Sequence, residues 1–108
     1  MNAFQTGRAT AEDGVFLHWE VHGDGIPLIC SNGVGVSTFF WKYVVEQYSK
    51  EFAVVLWDCR GHGQSDRNLD PHSADMSINR HAKDLEHVLA DAFPDYDGPF
   101  MLIGHSMG

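Results

Sequence analysis

The feature that most limits what this chain can fold into is a short, wholly apolar run leading into a glycine-bearing loop, which occurs three times. The runs are Ile26-Pro27-Leu28-Ile29-Cys30, Phe52-Ala53-Val54-Val55-Leu56-Trp57 and Phe100-Met101-Leu102-Ile103. Runs of this length without polar alternation predict strands buried on both faces, as in a parallel sheet. Between the first two lies a stretch from Thr38 to Lys50 with Phe40, Val44, Val45 and Tyr48 at helical spacing, which Ser37 or Thr38 could cap. Between the last two, Ile78, Ala82, Leu85, Leu89 and Ala92 recur every three or four residues and predict the buried face of a helix. Arg80, Lys83, Asp84 and Asp91 take its other faces. Ser77 is placed to cap this helix, and Pro94 with Gly98-Pro99 to end it. Ahead of all three runs, Val15, Leu17 and Trp19 alternate with Phe16, His18 and Glu20, which predicts a strand pairing with a shorter one near Gln5 to Ala9. Strands alternating with amphipathic helices imply an α/β architecture: a mostly parallel sheet, right-handed crossovers and helices on both faces. In such sheets the chemistry gathers at the carboxyl ends of the strands.

Composition narrows the function classes. The 108 residues suit one domain, and Lys+Arg 7 against Asp+Glu 15 leaves a net charge of −8. That charge disfavours a nucleic-acid or anionic-membrane surface as partner. No apolar run approaches the roughly 20 residues of a membrane span, and the start, Met-Asn-Ala-Phe-Gln-Thr-Gly, lacks the pattern of a secretory signal. The expectation is a cytoplasmic protein. Cys30 and Cys59 then read as buried free thiols, a disulfide being the minor alternative. No zinc-ligand spacing is present and no metal is expected. His81 and His87 are six apart on one helix, do not share a face, and are expected to be solvated.

Of the three loops, the last is the most specific. Gly104-His105-Ser106-Met107-Gly108 is a Gly-x-Ser-x-Gly directly after an apolar strand. Gly104 and Gly108 leave room for a strained turn that lifts the Ser106 hydroxyl out of the sheet, with the Met107 amide facing a reacting carbonyl. A glycine-rich turn with an idle serine is the bland alternative. The first loop, Ser31-Asn32-Gly33-Val34-Gly35, has glycines that allow close approach of a ligand to the backbone. It reads equally as an ordinary turn or as the source of a second oxyanion donor, the Val34 amide. In the middle loop, Asp58-Cys59-Arg60-Gly61-His62-Gly63-Gln64-Ser65-Asp66, an Asp58–Arg60 ion pair is expected to brace the backbone, and Gly61 and Gly63 to supply unusual angles. His62 as a general base is the sharper but weaker alternative.

Ser-Asn-Gly-Val-Gly, Asp-x-Arg-Gly-His-Gly-x-Ser-Asp and Gly-His-Ser-Met-Gly, in this order and spacing, resemble the α/β-hydrolase superfamily from about Gly14 to Gly108. The resemblance implies Ser106 as nucleophile, the Val34 and Met107 amides as oxyanion hole, and the Asp58 to Asp66 segment as a structural loop. It is closest to the small esterase, enol-lactonase and carbon–carbon hydrolase branch. Epoxide hydrolases and haloalkane dehalogenases share the middle motif but use Asp as nucleophile. Asn32 stands where many members have His, and the enol-lactonases share the Ser-Asn start.

The triad of this superfamily runs Ser, Asp or Glu, then His, and only Met107 and Gly108 follow Ser106 here. Residues 1–108 therefore read as the amino-terminal portion of a single domain that would run to roughly 200–250 residues. These residues alone lack the triad acid and His and are expected to be inactive. For the parent, the implied reaction is acyl transfer on a small-molecule ester or lactone, with no cofactor required. Substrate identity and oligomeric state are not encoded in this stretch. Two rivals remain: a non-catalytic hydrolase-like binder or truncated product, and a dinucleotide-binding module. The second draws on Gly33-Val34-Gly35 opening a helix and Asp58 closing the next strand, but meets Thr38 or bulky Phe39 at the third glycine position.

Overall fold

The computed structural model describes residues 4–31, 38–66 and 77–105. Strands β1 (Phe4–Thr10) and β2 (Phe16–His22) form the expected antiparallel pair, with Gly7 opposite Trp19 and Ala9 opposite Leu17. A side chain at Gly7 would run into the Trp19 indole, so the close approach of the two strands needs glycine there. Strand β3 (Ile26–Ser31) is parallel to both β4 (Phe52–Trp57) and β5 (Met101–Gly104). The sheet order is β1-β2-β4-β3-β5. Because β2 also runs antiparallel along β4, the sheet is mixed, and its parallel part is the β4-β3-β5 half that carries the glycine loops.

The two-residue period of the strands sorts their side chains between two cores. Ala53, Val55 and Trp57 join Ile29, Leu17, Trp19 and Val21 under helix α2 (Ile78–Ala92), against Leu85, Val88, Leu89 and Ala92. Val54 and Leu56 join Leu28 and Cys30 on the other face, against Trp41, Val44 and Val45. The helices thus cover both faces, as expected. Leu17, Ile29, Val54, Val55 and Val88 have no exposed surface, and burial of each stabilises the fold by roughly 1.5–3 kcal/mol. Cys30 and Cys59 are both buried free thiols. Among the described residues, no helix is long and apolar enough to cross a membrane.

Three local expectations need correction. Helix α1 (Lys42–Tyr48) is shorter than the periodic stretch, because Thr38–Trp41 forms a 3-10 turn and the N-cap position falls on Trp41 rather than on Ser37 or Thr38. Strand β5 is exposed rather than buried: Met101 and Leu102 keep about half their surface, since β3 borders one edge and no described element covers its faces. Helix α2 begins as expected, with Ser77 accepting from the Arg80 amide at 3.1 Å. Its buried face, however, is turned toward Arg80, Asp84 and Val88, while Ile78 is 67% exposed.

The buried charges on α2 are tolerated because each is answered. Asp84, 1% exposed, accepts from Arg60 Nε at 2.8 Å, Arg60 Nη2 at 3.0 Å and Arg80 Nε at 2.9 Å. The outer sides of the two guanidiniums meet the β1–β2 turn: Arg60 Nη1 reaches Asp13 at 2.8 Å, and Arg80 pairs with Glu12, which also meets His87. Truncating a buried ion pair leaves an uncompensated charge at a cost of about 3–5 kcal/mol. Asp84→Ala is therefore expected to lower the unfolding free energy by that much, read as a lower denaturant midpoint at unchanged slope, whereas Lys83→Ala, on the exposed face, should leave it within about 0.5 kcal/mol. The Arg80 hydrogen bond, first, holds Glu12 below the usual carboxylate range, and the Arg60 bond does the same for Asp13. A depressed folded pKa contributes stability that is present above the unfolded pKa, near pH 4, and is lost as pH falls. Stability should decline on acidification below about pH 4.5, and less steeply in Glu12→Gln/Asp13→Asn; an unchanged slope in a pH series of urea melts would contradict this.

Candidate active site

The carboxyl ends of β3, β4 and β5 lie side by side, and the expected site residues fall in the loops that leave them. Ser106, Met107, Gly108, Gly33 and Val34 lie outside the described residues. Gly104 is the last residue of β5 and is in register with Ser31, the last of β3. Past Gly104, the His105 amide donates to the Ser31 carbonyl at 3.1 Å, and the exposed His105 ring stands 4.6 Å from the Phe40 ring. The segments beginning at Asn32 and Ser106 therefore start from neighbouring strand ends.

The middle loop is held differently from the sequence expectation. Asp58 and Arg60 take separate partners instead of each other. Asp58, fully buried, accepts from the Thr38 amide on Oδ1 at 3.1 Å and from the Gln64 amide on Oδ2 at 3.0 Å. One carboxylate thus ties the loop after β4 to the turn that opens α1. Arg60 points the other way, into Asp84 and Asp13. The physical reason is that a carboxylate flanked by inward-pointing amides is already satisfied, while a guanidinium fork fits a second, facing carboxylate bidentately. Ser65 closes the loop onto β2: its hydroxyl donates to the Asp58 carbonyl and accepts from the His18 amide at 2.8 Å.

Gly61 and Gly63 have positive φ, at 77° and 51°. At Gly63 a Cβ would overlap the Asp58 carboxylate, so both the backbone angle and the space call for glycine. Gly63→Ala should cost about 1–3 kcal/mol from the backbone angle alone, read as a lowered thermal midpoint, and should loosen the start of α1 in hydrogen exchange through Asp58. A wild-type midpoint would show that Asp58 does not need this geometry.

Other candidates are quickly placed. His62 turns its Nδ1 to the Arg60 carbonyl at 3.1 Å. Cys59 is no thiolate nucleophile, since burial, with help from Asp58 and Asp84, pushes its thiol up to about 11. Burial likewise pushes Cys30 up to about 12. Among the described residues no three His, Cys, Asp or Glu side chains could hold a metal ion. Two clefts, one lined by Pro27, Phe93, Tyr96 and Phe100 and one by Val21, Gly23, Asp24 and Ala53, open at the amino ends of β3 and β4, away from the glycine loops. Neither gathers a nucleophile.

Sequence reasoning missed His81. It is half-buried, not solvated, with Nε2 3.1 Å from Ser31 Oγ and Nδ1 3.5 Å from Cys59 Sγ. Its position on α2 carries no spacing signal toward a residue at the end of β3 and another in the loop after β4.

A five-stranded mixed sheet covered by helices on both faces, followed in sequence by Gly-x-Ser-x-Gly at the end of its last strand, fits the doubly covered hydrolase class. The alpha/beta hydrolase fold family matches residues 26–108, and the chain belongs to that family. It is 35% identical over 92 residues to RutD of Azorhizobium caulinodans, provisionally named a carbamate hydrolase, covering 85% of this chain and 32% of that protein. It is 34% identical over 107 residues to protein phosphatase methylesterase 1 of Bos taurus, covering 96% and 26%. Among solved structures, an alpha/beta hydrolase from Novosphingobium aromaticivorans superposes with TM-score 0.83 at 26% identity, over 100% of this chain and 37% of that one. The Cif epoxide hydrolase from Acinetobacter nosocomialis gives 0.80 at 26%, over 96% and 31%. The chain spans about a third or less of the curated relatives it matches. Family membership displaces the dinucleotide-binding alternative.

Proposed function

We propose that the protein carrying this chain is a serine hydrolase acting on a small-molecule ester or lactone through an acyl-enzyme. Ser106 attacks the carbonyl carbon, and a His further along the full-length protein takes the hydroxyl proton. The Val34 and Met107 amides hold the oxyanion. As the tetrahedral intermediate collapses, the carbonyl–oxygen bond to the alkoxide breaks and the His gives it the proton. Water, deprotonated by the same His, then releases the acyl group as the acid. The Asp58 to Asp66 segment serves as scaffold, with Gly33, Gly104 and Gly108 leaving room for the two turns. Residues 1–108 alone, without triad acid or His, would be inactive. The chemistry calls for no cofactor, and the reading includes a cytoplasmic location.

The observation that carries this reading is the His105–Ser31 hydrogen bond, because it starts the Ser106 segment and the Val34 segment from adjoining strand ends. The methylesterase among the relatives supports ester chemistry. Epoxide hydrolases occur among the structural neighbours, but Ser rather than Asp at position 106 favours acyl transfer over epoxide opening.

A fluorophosphonate probe and a p-nitrophenyl ester test the reading on the full-length protein. Wild type should be labelled at one serine and hydrolyse the ester, and Ser106→Ala should lose the label and on the order of 10⁴–10⁶ in kcat. A folded wild type that takes no label would replace this reading with the non-catalytic binder, and a Ser106→Ala variant that keeps label and activity would overturn Ser106 as the nucleophile.

A further inference from the structure

One imidazole joins the carboxyl ends of β3 and β4. His81, in the first turn of α2, meets Ser31 Oγ through Nε2 at 3.1 Å and Cys59 Sγ through Nδ1 at 3.5 Å. Its ring lies against the Trp57 indole, with 4.9 Å between centroids. Ser31 and Cys59 are buried, so the half-buried ring reaches inward to both of them. With two nitrogens engaged and one face packed, the ring has a single orientation. Burial holds His81 below its ordinary value, against Asp84 and with His62, so the ring is neutral near pH 7. A protonated thiol facing Nδ1 favours the tautomer with the proton on Nε2, donating to Ser31 Oγ.

Ser31 is the residue through which this contact reaches the proposed chemistry. Its hydroxyl meets His81, its carbonyl accepts from His105, and it is in register with Gly104. It also immediately precedes the segment that contains Val34.

We propose that His81 is a positioning residue for acyl transfer: through Ser31 it holds together the ends of β3 and β5 from which the oxyanion-donor segment and Ser106 depart. The inference rests on the serine-hydrolase reading and deepens it. His81 touches no reacting atom. Its effect comes from the tight placement that oxyanion donors and nucleophile require, where a 1 Å displacement is worth on the order of 10²-fold in rate. Neither distance along the chain nor apolar periodicity singles this residue out; only the meeting of three elements at Ser31 does.

The test is the second-order rate of fluorophosphonate labelling of Ser106 in the full-length protein, measured beside the thermal midpoint for His81→Leu, His81→Gln and Ser31→Ala. His81→Leu keeps bulk against Trp57 but removes the bond, and should slow labelling about 10- to 100-fold with kcat for ester falling more than KM rises. His81→Gln, whose amide nitrogen can occupy the Nε2 position, should recover most of the rate. Ser31→Ala should match His81→Leu, and the double variant should be no slower than either single one. A wild-type rate in His81→Leu or Ser31→Ala overturns the proposal, as does a His81→Gln rate that stays as low as that of His81→Leu while both follow the thermal midpoint. Should His81→Leu fail to fold, Ser31→Ala decides. The underlying reading fails separately, through an unlabelled wild type or a labelled Ser106→Ala, and takes this inference with it.

Discussion

The contact on which the rest of the structure depends is the buried salt bridge between Arg60 and Asp84. It has to form for the loop after β4 to lie against α2, and it sets which face of α2 turns inward. Its geometry explains why it is tolerable: the guanidinium approaches the carboxylate with two nitrogens, and Arg80 occupies the remaining direction. Burying charge is expensive unless every lone pair and proton is answered. Here the surplus positive charge of two arginines is passed outward to Asp13 and Glu12, which stay in contact with water. The network therefore runs from a dry centre to a wet rim, and fastens the β1–β2 turn, the loop after β4 and α2 at one point.

How much of this could be read from residues alone depends on which physical rule governed each element. The strands were legible because unbroken apolar runs have few other folds open to them, and Phe52 to Trp57 appears as β4 with the expected bounds. The antiparallel pair was legible through alternation, and the cap at Ser77 through its side-chain oxygen one turn before the Arg80 amide. The inward face of α2 was not. Apolar periodicity counts Ile78 and Ala82 as core and Arg80 and Asp84 as surface, and it has no means of knowing that Arg60, 24 residues earlier than Asp84, supplies the countercharge. The same blindness produced the Asp58–Arg60 pairing: two residues apart in a loop is a plausible ion pair, and only three dimensions reveal the amides of Thr38 and Gln64 waiting for Asp58. At the site, the glycine at position 63 was legible as a conformational need, but that it makes room for a carboxylate was not.

Two networks meet at the loop after β4, and their difference in charge fits their places. Arg60 takes the ionic one away from the strand ends, toward the β1–β2 turn. Asp58 and Cys59, the first two residues past the end of β4, take neutral or backbone donors and acceptors: amides for Asp58, an imidazole for Cys59. Turning the Arg60 guanidinium toward Asp84 and Asp13, away from the edge where Ser31 and His105 meet, suits the acyl-transfer chemistry proposed above. A fixed cation beside the backbone donors would hold any carboxylate product and compete with a developing oxyanion for the same field, whereas amide dipoles stabilise the oxyanion without binding the ground state as strongly. The consecutive residues Asp58, Cys59 and Arg60 divide the work by direction. Asp58 secures the turn into α1, Cys59 meets the His81 ring that reaches Ser31, and Arg60 anchors the loop to α2. That division explains how a loop of nine residues can be buried along its first three side chains, with the Asp58 carboxylate answered by amides and the Arg60 guanidinium by carboxylates.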